Sequence, residues 1–144
     1  MMKPVNKAEI SFPSSSVNEG FARAAVSAFL AQLDPTVADL TDLKTAVSEA
    51  VTNSIVHGYR DAIGTVYISV KLFENGKTVV RVRDKGCGIP DIEQAMEPLY
   101  TTGGEERAGL GFAVMQSFCD SVRVTSSVGK GTSVTLTKYF ETKR

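Results

Sequence analysis

Cysteine and histidine are scarce in this chain of 144 residues, which has two cysteines, Cys87 and Cys119, and a single histidine, His57. The cysteines lie far apart without metal-ligand spacing, which argues against a structural zinc site. Both thiols are read as reduced. Cys87 sits between two glycines and is expected to be accessible, with nothing that marks it as reactive. Net charge is also missing, since 16 basic residues balance 16 acidic ones. Phosphate neutralisation needs a clustered basic surface, so no direct nucleic-acid partner is expected. No apolar run approaches the roughly 20 residues that span a bilayer, and Met1 to Ile10 carry charges where a signal core would be apolar. The expectation is a cytoplasmic protein without a membrane partner. Internal repeats, long linkers and low-complexity tracts are absent. So is the Gly-x-x-x-x-Gly-Lys-Ser/Thr phosphate loop: Val128-Gly129-Lys130-Gly131-Thr132 has a superficial likeness to it but joins two predicted strands and precedes no helix. The lack of His-Arg-Asp and Asp-Phe-Gly excludes the eukaryotic-type kinase fold.

What is present suits a single domain spanning 1–144, with 42% hydrophobic and 22% charged residues and enough length for one core. Glu9-Ile10-Ser11-Phe12 alternates as a first strand that ends at Pro13. Ser16 and Glu19 have capping-box spacing and predict a helix start there, with Val17, Phe21, Ala24, Ala25, Ala28, Phe29 and Leu33 as its core-facing stripe, ending near Asp34-Pro35. A second helix is predicted from about Thr36 to His57, with Gly58 as its stop and Leu40, Leu43, Val47, Ala50, Val51, Ser54 and Ile55 facing a sheet. Thr65 to Phe73 and Thr78 to Arg83 read as strands around the hairpin signal Glu74-Asn75-Gly76-Lys77. Pro90 to Ala108 is a mixed segment with one possible helical turn. Gly109-Leu110-Gly111 leads into a buried helix over Phe112 to Asp120. Ser121 to Ser127 and Thr132 to Phe140 form a last hairpin. These elements predict an α+β fold, a two-layer α/β sandwich with helices on one face of a mixed, mostly antiparallel sheet.

Three stretches carry candidate chemistry. Glu49, Asn53 and His57 follow at steps of four on one helix stripe, so a carboxylate and an amide stand side by side at the edge of the apolar face. Such a pair can activate a hydroxyl and ligate a hard cation, or it can be the solvated shoulder of an ordinary amphipathic helix. Asp84 closes a strand ahead of Gly86 and Gly88. A buried carboxylate there can accept the exocyclic amine of adenine while glycines admit the base; a strand leaving through a tight turn looks the same. Gly109-x-Gly111 ahead of a helix would aim its first amides at a phosphate, with Gly103 and Gly104 able to close over a ligand and Arg107 in reach of a terminal phosphate. It could equally be a flexible loop entering a core helix. Thr132, after Gly131, could add a hydroxyl near the base.

In order and spacing, Glu49-x-x-x-Asn53, Asp84-x-Gly86-x-Gly88 and Gly109-x-Gly111 resemble the asparagine box and the two glycine boxes of the GHKL superfamily of gyrase, heat-shock chaperone, histidine kinase and mismatch-repair ATPases. More narrowly, Val47 to Tyr59 together with Val82 to Asp91 is similar to the anti-sigma factor serine kinases of sporulation, with Phe21-Ala22-Arg23 and Ala31-Gln32-Leu33-Asp34-Pro35 extending the likeness over nearly the whole chain. The resemblance implies a Bergerat-type ATP/ADP site in a homodimer that holds a sigma factor inactive and phosphorylates a serine of an anti-anti-sigma partner. It implies Glu49 as the base or orienting carboxylate, Asn53 as the Mg²⁺ ligand and Asp84 with Thr132 at adenine. Gly86 and Gly88 would admit the base, Gly109 and Gly111 would serve the phosphates, and Arg107 would contact the terminal phosphate. Arg23 matches by position a residue of the partner-binding surface. Thr101-Thr102 is followed by Gly103-Gly104, where relatives often carry a bulkier lid. His57 is read as a site-flanking side chain, because the phosphate-accepting histidine of histidine kinases belongs to a separate hairpin. Two other readings stay open: a nucleotide-gated binding module without kinase activity, and an ATPase domain of another GHKL protein. The latter is disfavoured, since the sequence reaches Arg144 without a transducer or dimerisation hairpin.

Overall fold

The computed structural model describes residues 3–60, 62–96 and 105–141, with the side chains of 105–109 excepted. Strand β1 (Asn6–Pro13) is followed by helix α1 (Asn18–Leu30), a 3-10 turn (Ala31–Leu33) and the long helix α2 (Val37–Asn53). The chain then forms β2 (Thr65–Leu72), β3 (Lys77–Asp84), the short α3 (Ile92–Ala95), α4 (Glu105–Phe118), β4 (Ser121–Ser127) and β5 (Gly131–Tyr139). The strands make one sheet in the order β1-β2-β3-β5-β4. Every described pairing is antiparallel, so the mixed character expected of the sheet is not found.

The sheet's alternation decides where the core lies. Val66, Ile68, Val70 and Leu72 on β2, Val80 and Val82 on β3 and Val134 and Leu136 on β5 are all buried on one face. Helices α1, α2 and α4 cover that face, with α2 packed between the other two. Leu43, Ala46, Val47, Ala50 and Val51 form the buried ridge of α2, as its 3.6-residue periodicity requires. Each large side chain removed from water there contributes about 1.5–3 kcal/mol. Thr36 caps α2 by accepting the Asp39 amide at 3.1 Å, which satisfies one of the helix's first free N–H groups.

The structure corrects several local expectations. Helix α1 starts at Asn18 with no side-chain cap; the Glu19 carboxylate, expected to close a capping box with Ser16, instead accepts the Ser48 hydroxyl and pairs with Arg23. Its buried ridge is Ala22, Val26 and Leu30; of the expected stripe, Phe29 and Leu33 pack half-buried against the core, Ala25 is half-buried, and Val17, Phe21, Ala24 and Ala28 are exposed. Both ridges are apolar, and the one with the small Ala22 and the branched Val26 and Leu30 fills the space beneath. Phe21 packs edge-on against Phe12 of β1, with ring centroids 6.1 Å apart. Helix α4 starts at Glu105, four residues ahead of Gly109.

A cleft at the end of helix α2

Asp84 is the last residue of β3, paired across the sheet with Thr132 of β5 and Val66 of β2. It is only 4% exposed. Burying a carboxylate without partners costs several kcal/mol, and here Oδ1 accepts two backbone amides, Gly86 N–H at 2.9 Å and Thr132 N–H at 3.3 Å. Oδ2 is left to face the end of α2.

That end is irregular. After Asn53 the chain winds on as a π-helical turn, Ser54–Gly58, a distortion that is frequent at functional sites. The turn brings Gly58 against Asp84, so closely that a Cβ on Gly58 would lie 2.9 Å from Asp84 Oδ2. Tyr59, next in sequence, donates its hydroxyl to Thr65 O at 2.7 Å and accepts the Lys85 amide at 2.6 Å. One phenol therefore ties the start of β2 to the residue that follows Asp84.

The loop after β3 is fastened on both sides. Cys87 N–H donates to Gly58 O at 2.9 Å, and Gly129 N–H donates to Cys87 O at 2.8 Å. Side chains are excluded at Gly86, where a Cβ would stand 2.1 Å from Gly58 O, and at Gly88, which has φ +79° and would bring a Cβ 2.3 Å from Ser127 O. The glycines of Asp84-x-Gly86-x-Gly88 are thus explained by close approach of backbone to backbone. Ser126, on β4, completes the fastening: its Oγ accepts Ile89 N–H at 2.8 Å and lies 2.8 Å from Thr132 Oγ1.

Between these parts opens a cleft of about 840 Å³, solvent at its mouth included. Asn53, His57, Gly58, Asp84, Gly88 and Thr132 line it, together with an apolar wall that includes Ala50, Ile89, Ala95, Phe112 and Val134. Asn53 Nδ2 is buried without a hydrogen-bond partner among the described residues. Such an orphaned donor signals a missing acceptor.

Of the expected site residues, the structure brings Asn53, Asp84, Gly88 and Thr132 to one cleft. Glu49 is half-buried one helical turn before Asn53, and α4 meets both at Gly111, where a Cβ would lie 3.1 Å from Glu49 Oε2 and 3.3 Å from Asn53 Nδ2. Gly86 lies behind the cleft, against Gly58. The expectation that Gly109-Leu110-Gly111 precedes a helix is not met, since both glycines are inside α4. Their amides are therefore not the free donors of a helix start. Gly103 and Gly104 lie outside the described residues, as does the Arg107 side chain. Arg23 is exposed on α1, 3.7 Å from Glu19, and does not line the cleft.

The sequence reading missed the packing role of Gly58, which read as a helix stop, and the roles of Tyr59 and Ser126, which carry no local signal. The apolar wall read as ordinary core. Among the described residues no cluster of three or more His, Cys, Asp or Glu side chains could hold a metal by itself, and no helix is long and apolar enough to cross a membrane. Cys119 is half-buried, and burial raises its thiol pKa from 9.0 to about 11 against a smaller opposing pull from Lys138.

A buried strand-end carboxylate, a long helix carrying Glu and Asn one turn apart, and a cleft between them define an ATPase domain of the histidine-kinase kind. The chain belongs to the histidine kinase-like ATPase domain family, whose model matches residues 12–138. Relatives of high identity include anti-sigma F factors. It is 56% identical to that of Thermoanaerobacter sp. (strain X514), over 96% of this chain and 97% of the relative. It is 54% identical to that of Geobacillus stearothermophilus, over 94% of this chain and 93% of the relative. Among solved structures, the RsbU and RsbW domains of a Mycobacterium tuberculosis protein superpose with a TM-score of 0.72 at 22% identity, covering 96% of this chain and 33% of that one. The fold is the same; that likeness says nothing further.

Proposed function

We propose that this protein is an anti-sigma factor that binds and inhibits a sporulation sigma factor of the F type and, with Mg-ATP, phosphorylates a serine of its anti-anti-sigma antagonist. The observation that carries the reading is the convergence of three distant segments on one cleft: Asn53 from α2, Asp84 from β3 and Thr132 from β5, with Glu49 a helical turn away. The high identity to anti-sigma F factors over nearly the full chain supports the choice of partner class.

The residues present fit a magnesium nucleotide. Asp84 Oδ2 and Thr132 offer acceptors to the amine of adenine. Asn53 has an amide oxygen for Mg²⁺ and a buried, unmatched N–H for a phosphate oxygen. A magnesium ion held mostly by phosphates and water needs few protein ligands, which suits a cleft with no acidic cluster among the described residues. Bound ATP supplies the γ-phosphoryl group: the serine oxygen bonds to phosphorus as the bond to the bridging oxygen breaks, and ADP departs. Glu49 takes or orients the proton of that serine hydroxyl. Positioning and charge neutralisation do the rest. Arg107 is assigned to the phosphates, Gly88 to the base, and Arg23 to the surface for sigma and anti-anti-sigma partners in a homodimer.

The test combines the purified protein with labelled Mg-ATP, the candidate sigma factor and the candidate antagonist. Phosphoserine on the antagonist, together with nucleotide-dependent capture of the sigma factor, is the expected result. Capture without phosphoserine leaves a binding module and removes the kinase assignment; no calorimetric heat with Mg-ADP removes the nucleotide site.

A further inference from the structure

Charge that cancels over the whole chain is concentrated on one side of the sheet. Among the described residues the helices pack on one face only, and strand alternation turns every second side chain to the other. Lys7 of β1, Lys71 of β2, Arg81 and Arg83 of β3, Lys85 just after it and Arg123 of β4 are exposed there. The register sets Lys7 opposite Lys71, and it sets Glu9, Ser69, Arg81, Thr135 and Arg123 in one row across all five strands. Glu9 is the one strand carboxylate on this face among the described residues, and none of these cations is in a described ion pair. Arg83 and Lys85 lie over the Tyr67 ring, 5.0 and 5.3 Å from its centroid, and Arg81 Nε donates to Ser133 Oγ at 2.7 Å. The charges are held in place without being neutralised.

Stability does not ask for this arrangement, because like charges directly opposite in a sheet are destabilising. Its chemistry fits an anion with regularly repeated charge. Arg81, Arg83 and Lys85 follow one another at about 6.8 Å along the strand direction, and a groove crosses β1, β2 and β3 beside Glu9, Tyr67, Arg81 and Arg83. Between the cations stand the hydroxyls of Ser11, Ser69, Thr125 and Thr135. Arginine, lysine and small hydroxyls are the groups that contact nucleic-acid phosphates, whereas the centre of a protein interface is built on apolar and aromatic anchors and is poor in lysine. Membrane-surface binding adds buried apolar area to charge, which a row of cations and hydroxyls does not supply. A second copy docked by a two-fold axis would set this face against itself, like charge to like.

We propose that the uncovered face of the sheet binds single-stranded nucleic acid through its phosphates, with Arg81 and Arg83 at the centre of the contact and Lys71 and Arg123 on either side. The even balance of 16 basic and 16 acidic residues speaks against such a partner only if the charges are mixed over the surface, and here they are not. Binding is tolerant of sequence, because the Tyr67 ring already carries two cations and is not free to stack on a base. It is also independent of the cleft, since Asp84 and Thr132 belong to the helix-covered side of the sheet.

The experiment follows the fluorescence anisotropy of a labelled oligothymidylate of about 20 nucleotides at salt concentrations from about 50 to 200 mM. Wild type is expected to bind with log K falling against log salt at a slope of about −3 to −4, about −0.7 for each phosphate neutralised. Arg81→Gln with Arg83→Gln, and separately Lys71→Gln with Arg123→Gln, should each make the slope shallower by about 1.4 and weaken binding at least about ten-fold at the lowest salt. Lys44→Gln, on α2 behind the sheet, should change neither, and saturating Mg-ADP should not displace the strand. If Arg81→Gln with Arg83→Gln does not fold, the other pair decides, since the Lys71 and Arg123 side chains make no described bond to the fold. No binding at the lowest salt overturns the proposal, as does a slope that neither pair alters. Displacement by Mg-ADP overturns it by placing the strand in the cleft. Binding to phosphatidylserine vesicles but not to the oligonucleotide overturns it in favour of a membrane, and a sedimentation weight that shifts with these substitutions gives the face to a second copy.

Discussion

Replacing Gly58 by alanine adds one methyl group at the point where the end of α2 meets the buried carboxylate. The backbone of Gly58 is not in the left-handed region, so alanine meets no strain from its own conformation. The new Cβ would instead lie 2.9 Å from Asp84 Oδ2 and 3.0 Å from its Cγ, a few tenths of an ångström inside normal contact. Asp84 cannot swing away freely, because Oδ1 is held by Gly86 N–H and Thr132 N–H. The bond to Thr132, already at 3.3 Å, is the one that breaks. A hydrogen bond to a charged group contributes about 1.5–3 kcal/mol, and the lower unfolded-state entropy of alanine returns about 0.4–1 kcal/mol. The net loss is about 1–2 kcal/mol, or a fall in melting temperature of about 3–8 °C. The displaced Asp84 also loses its aim at adenine, and ADP affinity should drop about 10- to 100-fold, equivalent to roughly 1.4–2.8 kcal/mol. Thermal denaturation read by circular dichroism and calorimetric titration with Mg-ADP measure the two effects. An unchanged melting temperature with ADP affinity within two-fold of wild type would refute both the confinement of Asp84 by Gly58 and the role of Asp84 at the base.

Tyr59→Phe removes the hydroxyl that joins Thr65 O to Lys85 N–H and should destabilise the protein by about 1–3 kcal/mol while loosening the loop after Asp84; urea denaturation and amide exchange at Lys85 check it, and an unaltered midpoint sinks it. Glu49→Ala should slow phosphoryl transfer to the antagonist about 10²- to 10⁴-fold with ADP affinity changed only a few-fold; an unchanged single-turnover rate removes Glu49 from the chemistry. Cys119, with its thiol raised to about 11 by burial, binds a proton more tightly folded than unfolded. Its contribution to stability is therefore complete below pH about 9 and is lost as pH rises toward about 11; Cys119→Ala should flatten this part of the alkaline stability profile, and a profile identical to wild type would count against it. Iodoacetamide at pH 8 should accordingly modify the exposed Cys87 well before Cys119.

Much of the order of elements was legible because the signals are local. The β-branched run Thr65 to Leu72, the Asn75-Gly76 hairpin and the i, i+4 ridge through Leu43 and Val47 each name their own structure within a few residues. So did the side-by-side placement of Glu49 and Asn53, which needs only the helical repeat. The first helix shows where locality stops: Phe21 and Ala22 are adjacent, both ridges are apolar, and the fit over the sheet decides which is buried. The start of α4 shows it again. Glycines at 109 and 111 read as a break, yet the helix passes through both, and at Gly111 it comes so close to the Glu49 and Asn53 side chains that a Cβ would be crowded, at 3.1 and 3.3 Å.

Periodicity and turn chemistry in the sequence therefore determined which segments are strands and helices, and the spacing of Glu49, Asn53, Asp84 and the glycines determined the family of site. Only the tertiary structure decided that Gly58 makes room for Asp84, that Tyr59 and Ser126 brace the loop between them, and that the hydroxyls of Ser126 and Thr132 meet across β4 and β5. The reason is distance along the chain. Asp84 meets Gly58 26 residues upstream and Thr132 48 residues downstream, and such contacts exist only once the sheet has brought the segments together.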